Sequence, residues 1–121
     1  MTRMGMVYYP EQWNRSMWDE DAEMMRRTGV RIVRLAEFAW SRLEPNEGEY
    51  RFEWLDDAIE VFHRRGIQVV LGTPTCTPPN WLTQRYPDVL PVDAQQQPRY
   101  PGVRGHRCHG ILKTASVTGP R

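Results

Sequence analysis

The sequence has 121 residues, a formal net charge of +1, 40% hydrophobic and 26% charged side chains, which is the balance of an ordinary globular protein. A charge so near zero gives no electrostatic reason to expect binding to nucleic acid or to an anionic membrane. No apolar run reaches the length of a membrane-spanning helix, and the N-terminus lacks the apolar core of a secretory signal, so we expect a cytoplasmic protein. The two cysteines, Cys76 and Cys108, are too few for a disulfide scaffold, and reduced thiols are favoured.

Short apolar runs alternate with amphipathic stretches over residues 4–72. The first amphipathic stretch predicts a helix with Ser16 as its N-cap and Gly29 after its end, since serine caps helices well and glycine favours the position that follows them. A second helix is predicted over residues 52–65, ended by Gly66. The apolar runs predict three strands, near residues 4–9, 30–36 and 67–72. The order β-α-β-α-β favours an α/β fold with a parallel sheet and right-handed crossovers.

The character of the sequence changes after the third predicted strand. Residues 76–82 are predicted to open a short helix, because proline suits a first helical turn. Residues 86–110 are rich in proline, glycine and polar side chains and predict a loop, longer than the usual connection in a compact domain. Residues 111–121 have no clear periodicity, and we expect no regular structure there.

Four motifs resemble the glycoside hydrolase family 42 β-galactosidases, in the same order along the chain. They are YYPEQW at residues 8–13, VRLAEFAWSRLEP at 33–45, LGTPTCTPPNWL at 71–82 and PDVLPVD at 87–93. The similarity runs from about Gly5 to Cys108. It implies a partial (β/α)₈ TIM barrel, consisting of the first three βα units and a long loop, with residues 1–108 as the N-terminal segment of the family's catalytic barrel. Residues 109–121 depart from the family pattern and are expected to form a disordered tail.

The resemblance implies a retaining hydrolase that acts on terminal β-D-galactosides. Such an enzyme needs two carboxyl groups about 5 Å apart, one as acid/base and one as nucleophile, and in the family both lie at the ends of later strands. The Asn-Glu pair at residues 46–47 falls in the turn before the second predicted helix, which is the wrong place for the acid/base. We therefore expect no catalytic residue in this chain and no hydrolysis by the chain alone.

Two further site residues are implied by the segment RGHRC at residues 104–108. Arg104 resembles a family arginine that contacts the bound galactose, and a guanidinium suits forked hydrogen bonds with hydroxyl groups. Gly105 departs from the family pattern, and a solvated loop arginine is the alternative. Cys108 matches the first cysteine of a structural zinc site found in part of the family. Because a structural zinc needs four ligands and the others have no counterpart here, we expect no cofactor in this chain, and zinc only in the complete enzyme.

Glu37 follows the second predicted strand and is expected to point toward the mouth of the pocket. It is a second candidate for substrate binding, through sugar hydroxyl groups, and pairing with Arg34 or Arg42 is the alternative. Trp40 and Trp81 could line a sugar site or pack in the core or the rim.

The resemblance implies a galactoside substrate as the partner of the complete enzyme. We expect no binding to nucleic acid or to a membrane. Three strands of a barrel leave two sheet edges unpaired. Val7, Val33 and Val69 or their neighbours are expected to face inward, without the opposite wall that would cover them. We therefore expect a marginally stable chain that self-associates through these edges.

Three interpretations of the whole chain remain open. It is a segment of a β-galactosidase, a truncated or degenerate product without activity, or a sugar-binding subunit module that works with a partner. The loss of the family pattern after Cys108 favours a frameshift or a truncated reading frame, with a genuine short variant as the alternative. The lack of the two carboxylates separates the first interpretation from the other two.

Overall fold

Three apolar runs form a parallel sheet in the order β1-β2-β3 in the computed structural model, which describes residues 2–98. The strands are β1 (Met4–Val7), β2 (Val30–Leu35) and β3 (Gln68–Leu71). The predicted α/β fold with parallel strands is confirmed. The first strand is shorter than predicted, although the Tyr8 N–H still donates to the Arg34 carbonyl at 3.0 Å and continues the ladder by one bond.

The helices in the described residues are α1 (Trp18–Arg27), α2 (Trp40–Leu43), α3 (Glu53–Arg64) and α4 (Asn80–Arg85), with 3₁₀ turns at Pro10–Gln12, Arg15–Met17 and Pro87–Val89. Within residues 2–98, none of them combines the length and apolar character needed to cross a bilayer. The short helix α2 directly after β2 was not predicted, since four residues are too few to establish a helical period.

The predicted cap of α1 is wrong. The side chain of Asn14, not that of Ser16, accepts a backbone hydrogen bond, from the Ser16 N–H at 3.5 Å. A 3₁₀ turn then leads directly into α1, so that Ser16 lies inside the turn. The predicted helix ends are confirmed: Gly29 and Gly66 have φ values of +95° and +70°, the left-handed conformation that glycine adopts at little cost.

The core lies between the sheet and the pair α1 and α3. Val33 and Leu35 of β2 are completely buried, as is Phe62 of α3. The two helices supply the rest of the layer with buried side chains at helical spacing, Trp18, Ala22 and Met25 from α1 and Leu55, Ala58 and Val61 from α3. Burial of each large apolar side chain stabilises the fold by roughly 1.5–3 kcal/mol, so this layer holds the sheet and helices together.

The opposite face of the sheet carries no helix in the described residues, and we call it the open face. Val7, Arg34 and Val70 share one row of the register, and Val70 is 49% exposed. Val33 and Val69 occupy the next row and pack with the helix core, because successive side chains point to opposite faces. The residues on the open face are thus Val7 and, in β2 and β3, the neighbours of Val33 and Val69, which is the alternative that the prediction included. Apolar runs of parallel strands do not reveal which face each residue takes.

Candidate functional site

The carboxyl ends of the three parallel strands lie at one edge of the sheet, the edge at which TIM barrels place their chemistry. We call the segments that follow the strands, residues 8–13, 36–40 and 72–77, the carboxyl edge. Two hydrogen bonds connect them: the Gly72 N–H donates to the Leu35 carbonyl at 2.9 Å, and the Thr77 hydroxyl donates to the Phe38 carbonyl at 3.0 Å. Segments that are distant in sequence are thereby fixed next to one another.

Glu37 lies at this edge and pairs with Arg34, not with Arg42. The Arg34 Nη2 donates to Glu37 Oε2 at 2.6 Å, and the Glu37 side chain is 22% exposed. Within residues 2–98 Glu37 Oε1 accepts no hydrogen bond. This oxygen is not shielded from solvent. One carboxylate oxygen is thus held by a guanidinium, and the other is left as an acceptor. Substrate binding by Glu37 stays a prediction that this geometry permits.

Two features of the backbone fix the position of Glu37. Ala36 has φ +69° and is 2% exposed, a conformation that costs a residue with a Cβ roughly 1–2 kcal/mol. A Cβ on Gly72 would lie 3.2 Å from both Cα and Cβ of Glu37, so only glycine lets β3 approach this closely. Strained backbone of this kind is concentrated at functional sites. Sequence reasoning missed Ala36 because alanine gives no signal for positive φ.

The two adjacent tyrosines of the YYPEQW motif lie in different environments. Tyr8 is buried, meets the ring of Phe62 edge-on at 5.4 Å, and donates from its hydroxyl to Asp21 Oδ2 at 2.5 Å. Burial, helped by the Asp21 carboxylate, raises the pKa of Tyr8. Tyr9 is partly exposed and lies beside Phe38, with ring centroids 5.6 Å apart and planes at 37°. Among the described residues the Tyr9 hydroxyl forms no side-chain hydrogen bond.

Trp40 and Trp81 are held by Glu44, an arrangement we call the Glu44 cluster. The Trp40 indole N–H donates to Glu44 Oε2 and the Trp81 indole N–H to the Glu44 carbonyl, both at 2.8 Å. The other carboxylate oxygen of Glu44, which is 9% exposed, accepts from the Gly48 N–H at 2.9 Å. These contacts favour the packing interpretation of both tryptophans.

Glu11 is a carboxyl group that sequence reasoning assigned no role. Both of its carboxylate oxygens are shielded from solvent and have no hydrogen-bond partner in residues 2–98, and the same holds for the Trp54 indole nitrogen. Burial raises the pKa of Glu11, against the opposing effects of its own backbone N–H and the positive charge of Arg42. The Arg42 guanidinium donates to the Glu11 carbonyl at 2.9 Å and lies 5.1 Å above the ring of Trp54. Arg42 therefore links the two residues that carry the unpartnered atoms.

Metal binding finds no support in the part of the chain that the structure describes, where no three side chains suited to a metal ion are grouped. Arg104 and Cys108, the predicted galactose and zinc ligands, lie outside the described residues. Their roles, like the division of the chain at residue 108, stay predictions.

Comparison with known proteins decides the family. The family model for glycoside hydrolase family 42, described as β-galactosidase, matches residues 7–114. The chain belongs to this family. Among curated family 42 relatives, β-galactosidase BgaA of Clostridium cellulovorans is 55% identical over 116 residues, covering 96% of this chain and 18% of that protein.

Solved family 42 structures show the same fold. The β-galactosidase of the psychrophilic Marinomonas ef1 superposes with a TM-score of 0.79 at 48% identity, and that of the haloarchaeon Halorubrum lacusprofundi with 0.80 at 44% identity. Each match covers 84% of this chain but 15% of the solved chain. The chain thus spans less than a fifth of the length of the relatives it matches. The predicted resemblance to the N-terminal part of a family 42 β-galactosidase and the partial TIM barrel are confirmed.

Proposed function

We propose that this family 42 chain supplies the first three βα units of a β-galactosidase barrel, and that the complete protein hydrolyses terminal β-D-galactosides with retention of configuration. The observation that carries the proposal is the convergence at the carboxyl edge of a charge-compensated carboxylate, Glu37, with partly exposed aromatic rings. Sites that bind small molecules combine apolar walls with a few placed polar groups. The protein is proposed to act in the cytoplasm, with no cofactor in this segment.

Within the proposed enzyme the role of this segment is binding. Glu37 accepts a hydrogen bond from a substrate hydroxyl through Oε1, and Arg104 donates to another. The acid/base and the nucleophile of a retaining enzyme must lie about 5 Å apart, and no residue of this chain corresponds to either in the family pattern. The 121-residue chain alone is therefore proposed to be inactive.

A chimera tests this proposal. Residues 7–98 replace the aligned segment of the Clostridium cellulovorans BgaA, and hydrolysis of a chromogenic β-galactoside is measured for the chimera and for the 121-residue chain. We expect hydrolysis by the chimera and none above background by the chain. In the chimera, Glu37→Gln should raise KM several-fold with little change in kcat, the pattern of a contact made equally in ground and transition states.

Two results would contradict the proposal. A folded chimera without activity would mean that the segment does not build a β-galactosidase site. Hydrolysis by the purified chain alone that disappears on Glu37→Gln would make Glu37 a catalytic residue.

A further inference from the structure

We infer that Tyr9 and Phe38 form a stacking platform for a galactopyranose ring, with Glu37 Oε1 as the acceptor for one hydroxyl of the same ring. This inference rests on the proposed function and specifies one part of that site. Its ligand is the sugar ring of a β-galactoside, held face-on at the carboxyl edges of β1 and β2.

The geometry of the two rings suits a flat, partly apolar ligand. Their centroids lie 5.6 Å apart with planes at 37°, so the two rings lie side by side and are inclined to each other. Both rings are partly exposed. The ring of neighbouring Tyr8, in contrast, packs on Phe62, and its hydroxyl donates a hydrogen bond to Asp21. The exposed pair is therefore the part of the YYPEQW motif that the core does not use.

The chemistry of the ligand matches this surface. One face of a galactopyranose ring presents mainly C–H groups, which pack on aromatic rings, while its hydroxyl groups point outward and require acceptors and donors. Glu37 precedes Phe38 in sequence, so acceptor and platform are fixed relative to each other. Arg34 neutralises the charge of Glu37 through Oε2 at 2.6 Å and leaves Oε1 for the sugar.

The platform is also held in place before any ligand arrives. The Thr77 hydroxyl donates to the Phe38 carbonyl at 3.0 Å, and the close approach of Gly72 confines the backbone of Glu37. Such preorganisation reduces the entropy lost on binding.

A second aromatic pair provides a matched contrast. Tyr50 and Phe52 stack at 5.8 Å with planes at 7° and are 60% and 48% exposed. They lie directly before α3, outside the three segments defined as the carboxyl edge. The nearby Glu49 has both carboxylate oxygens engaged, one by Asn46 and the other by Arg51. This pair has rings but no open acceptor, and no sugar site is inferred for it.

Saturation-transfer NMR on the 121-residue chain with methyl β-D-galactopyranoside tests the platform. We expect transfer from the wild-type chain, strongest on the ring protons of the C–H face. Tyr9→Ala should weaken binding by about fivefold, as expected for one lost stacking contact. Tyr9→Phe should bind within about twofold of the wild type, because it keeps the ring. Circular dichroism confirms that each variant is folded, and Tyr50→Ala serves as the matched control.

The outcomes separate this inference from the proposed function. Equal binding by the wild type and Tyr9→Ala would overturn the platform, as would an equal loss on Tyr50→Ala. An absence of transfer from the wild-type chain would also overturn it, since both rings and the acceptor belong to residues 9–38. Hydrolysis by the chimera tests the proposed function independently of all these results.

Discussion

The two faces of the sheet differ in what their side chains have to pack against. On the helix side, Val33 is completely buried against a layer that includes Phe62. On the open face, Val70 is 49% exposed and Arg34 has 46% of its side chain in solvent. In a closed barrel the inner face is covered by side chains from the other strands. The sheet is thus covered by helices on one face, whereas its open face lacks the side chains that would cover it in a closed barrel.

This contrast explains why a small part of a barrel has a well-defined fold. Each strand contributes to two layers, and in the described residues only the layer on the helix side is covered, by α1 and α3. The open face instead carries the features that point to function, among them the ion pair of Arg34 with Glu37. Stability and binding are therefore assigned to opposite faces, and substitutions can separate them.

The largest expected effect comes from the covered face. Phe62→Ala should lower the free energy of unfolding by about 3–5 kcal/mol, because it removes a completely buried ring and leaves a cavity. Urea unfolding followed by circular dichroism, at matched protein concentrations, measures the change.

The matched substitution on the open face is Val70→Lys. It should change the free energy of unfolding by no more than about 0.5 kcal/mol, as is usual for surface positions. We also expect it to reduce the self-association proposed for the open face and sheet edges, measured as a lower average mass by sedimentation. If Val70→Lys destabilised the chain as much as Phe62→Ala, the two faces would not differ as described.

An intermediate effect is expected at the two tight glycines of the open face. An added Cβ would meet Glu37 atoms at 3.2 Å for Gly72 and Ile32 atoms at 3.2 and 3.3 Å for Gly5. Each change to alanine should cost about 1–3 kcal/mol through overpacking. Only Gly72→Ala should also displace Glu37. A double-mutant cycle on Arg34 and Glu37 should therefore show reduced coupling in the Gly72→Ala background and unchanged coupling in the Gly5→Ala background.

A pH-dependent effect concerns Glu11, whose shielded oxygens contrast with the exposed Glu47. Because the folded chain holds a proton on Glu11 more tightly than the unfolded chain, stability falls as the pH rises from the ordinary glutamate pKa of about 4.3 through the raised one. Glu11→Gln should remove this slope and stabilise the chain at neutral pH by about 1 kcal/mol, because a neutral amide is less costly to shield from water than an unpaired carboxylate.

Glu47 provides the opposite slope as a control. A hydrogen bond from Tyr86 and the Arg85 guanidinium lower the pKa of Glu47, so its contribution is present above the ordinary glutamate pKa and is lost as the pH falls through the lowered one. Unfolding measured from pH 3 to 8 on Glu11→Gln and Glu47→Gln should change the slope in opposite directions. The same slope change in both variants would mean that Glu11 is not shielded as described.

The sequence predicted the elements better than their environments. The bounds of β2 and the glycines after α1 and α3 came directly from apolar runs and from the tolerance of glycine for positive φ. The faces of the strands did not, because parallel strands are apolar on both sides. The sequence therefore left open whether Val33 and Val69 or their neighbours face inward.

The candidate site was predictable only as a location. Polar and aromatic residues after the strands indicated the carboxyl edge, and Glu37 was named from its position. Its pairing with Arg34 instead of Arg42 depends on the left-handed turn at Ala36, which no local residue preference predicts. The shielding of Glu11 depends on contacts across the fold, and sequence patterns contain no information on them.

The Glu44 cluster affects how barrels of this kind can be altered. Glu44 follows α2, while Trp81 belongs to α4 in the next βα unit, and one indole N–H joins them at 2.8 Å. Exchange of the segment after β3 for that of another barrel would leave the Glu44 carbonyl without this donor. The connections after β2 and β3 are thus coupled by this contact, and a replacement segment must supply a donor that reaches the Glu44 carbonyl.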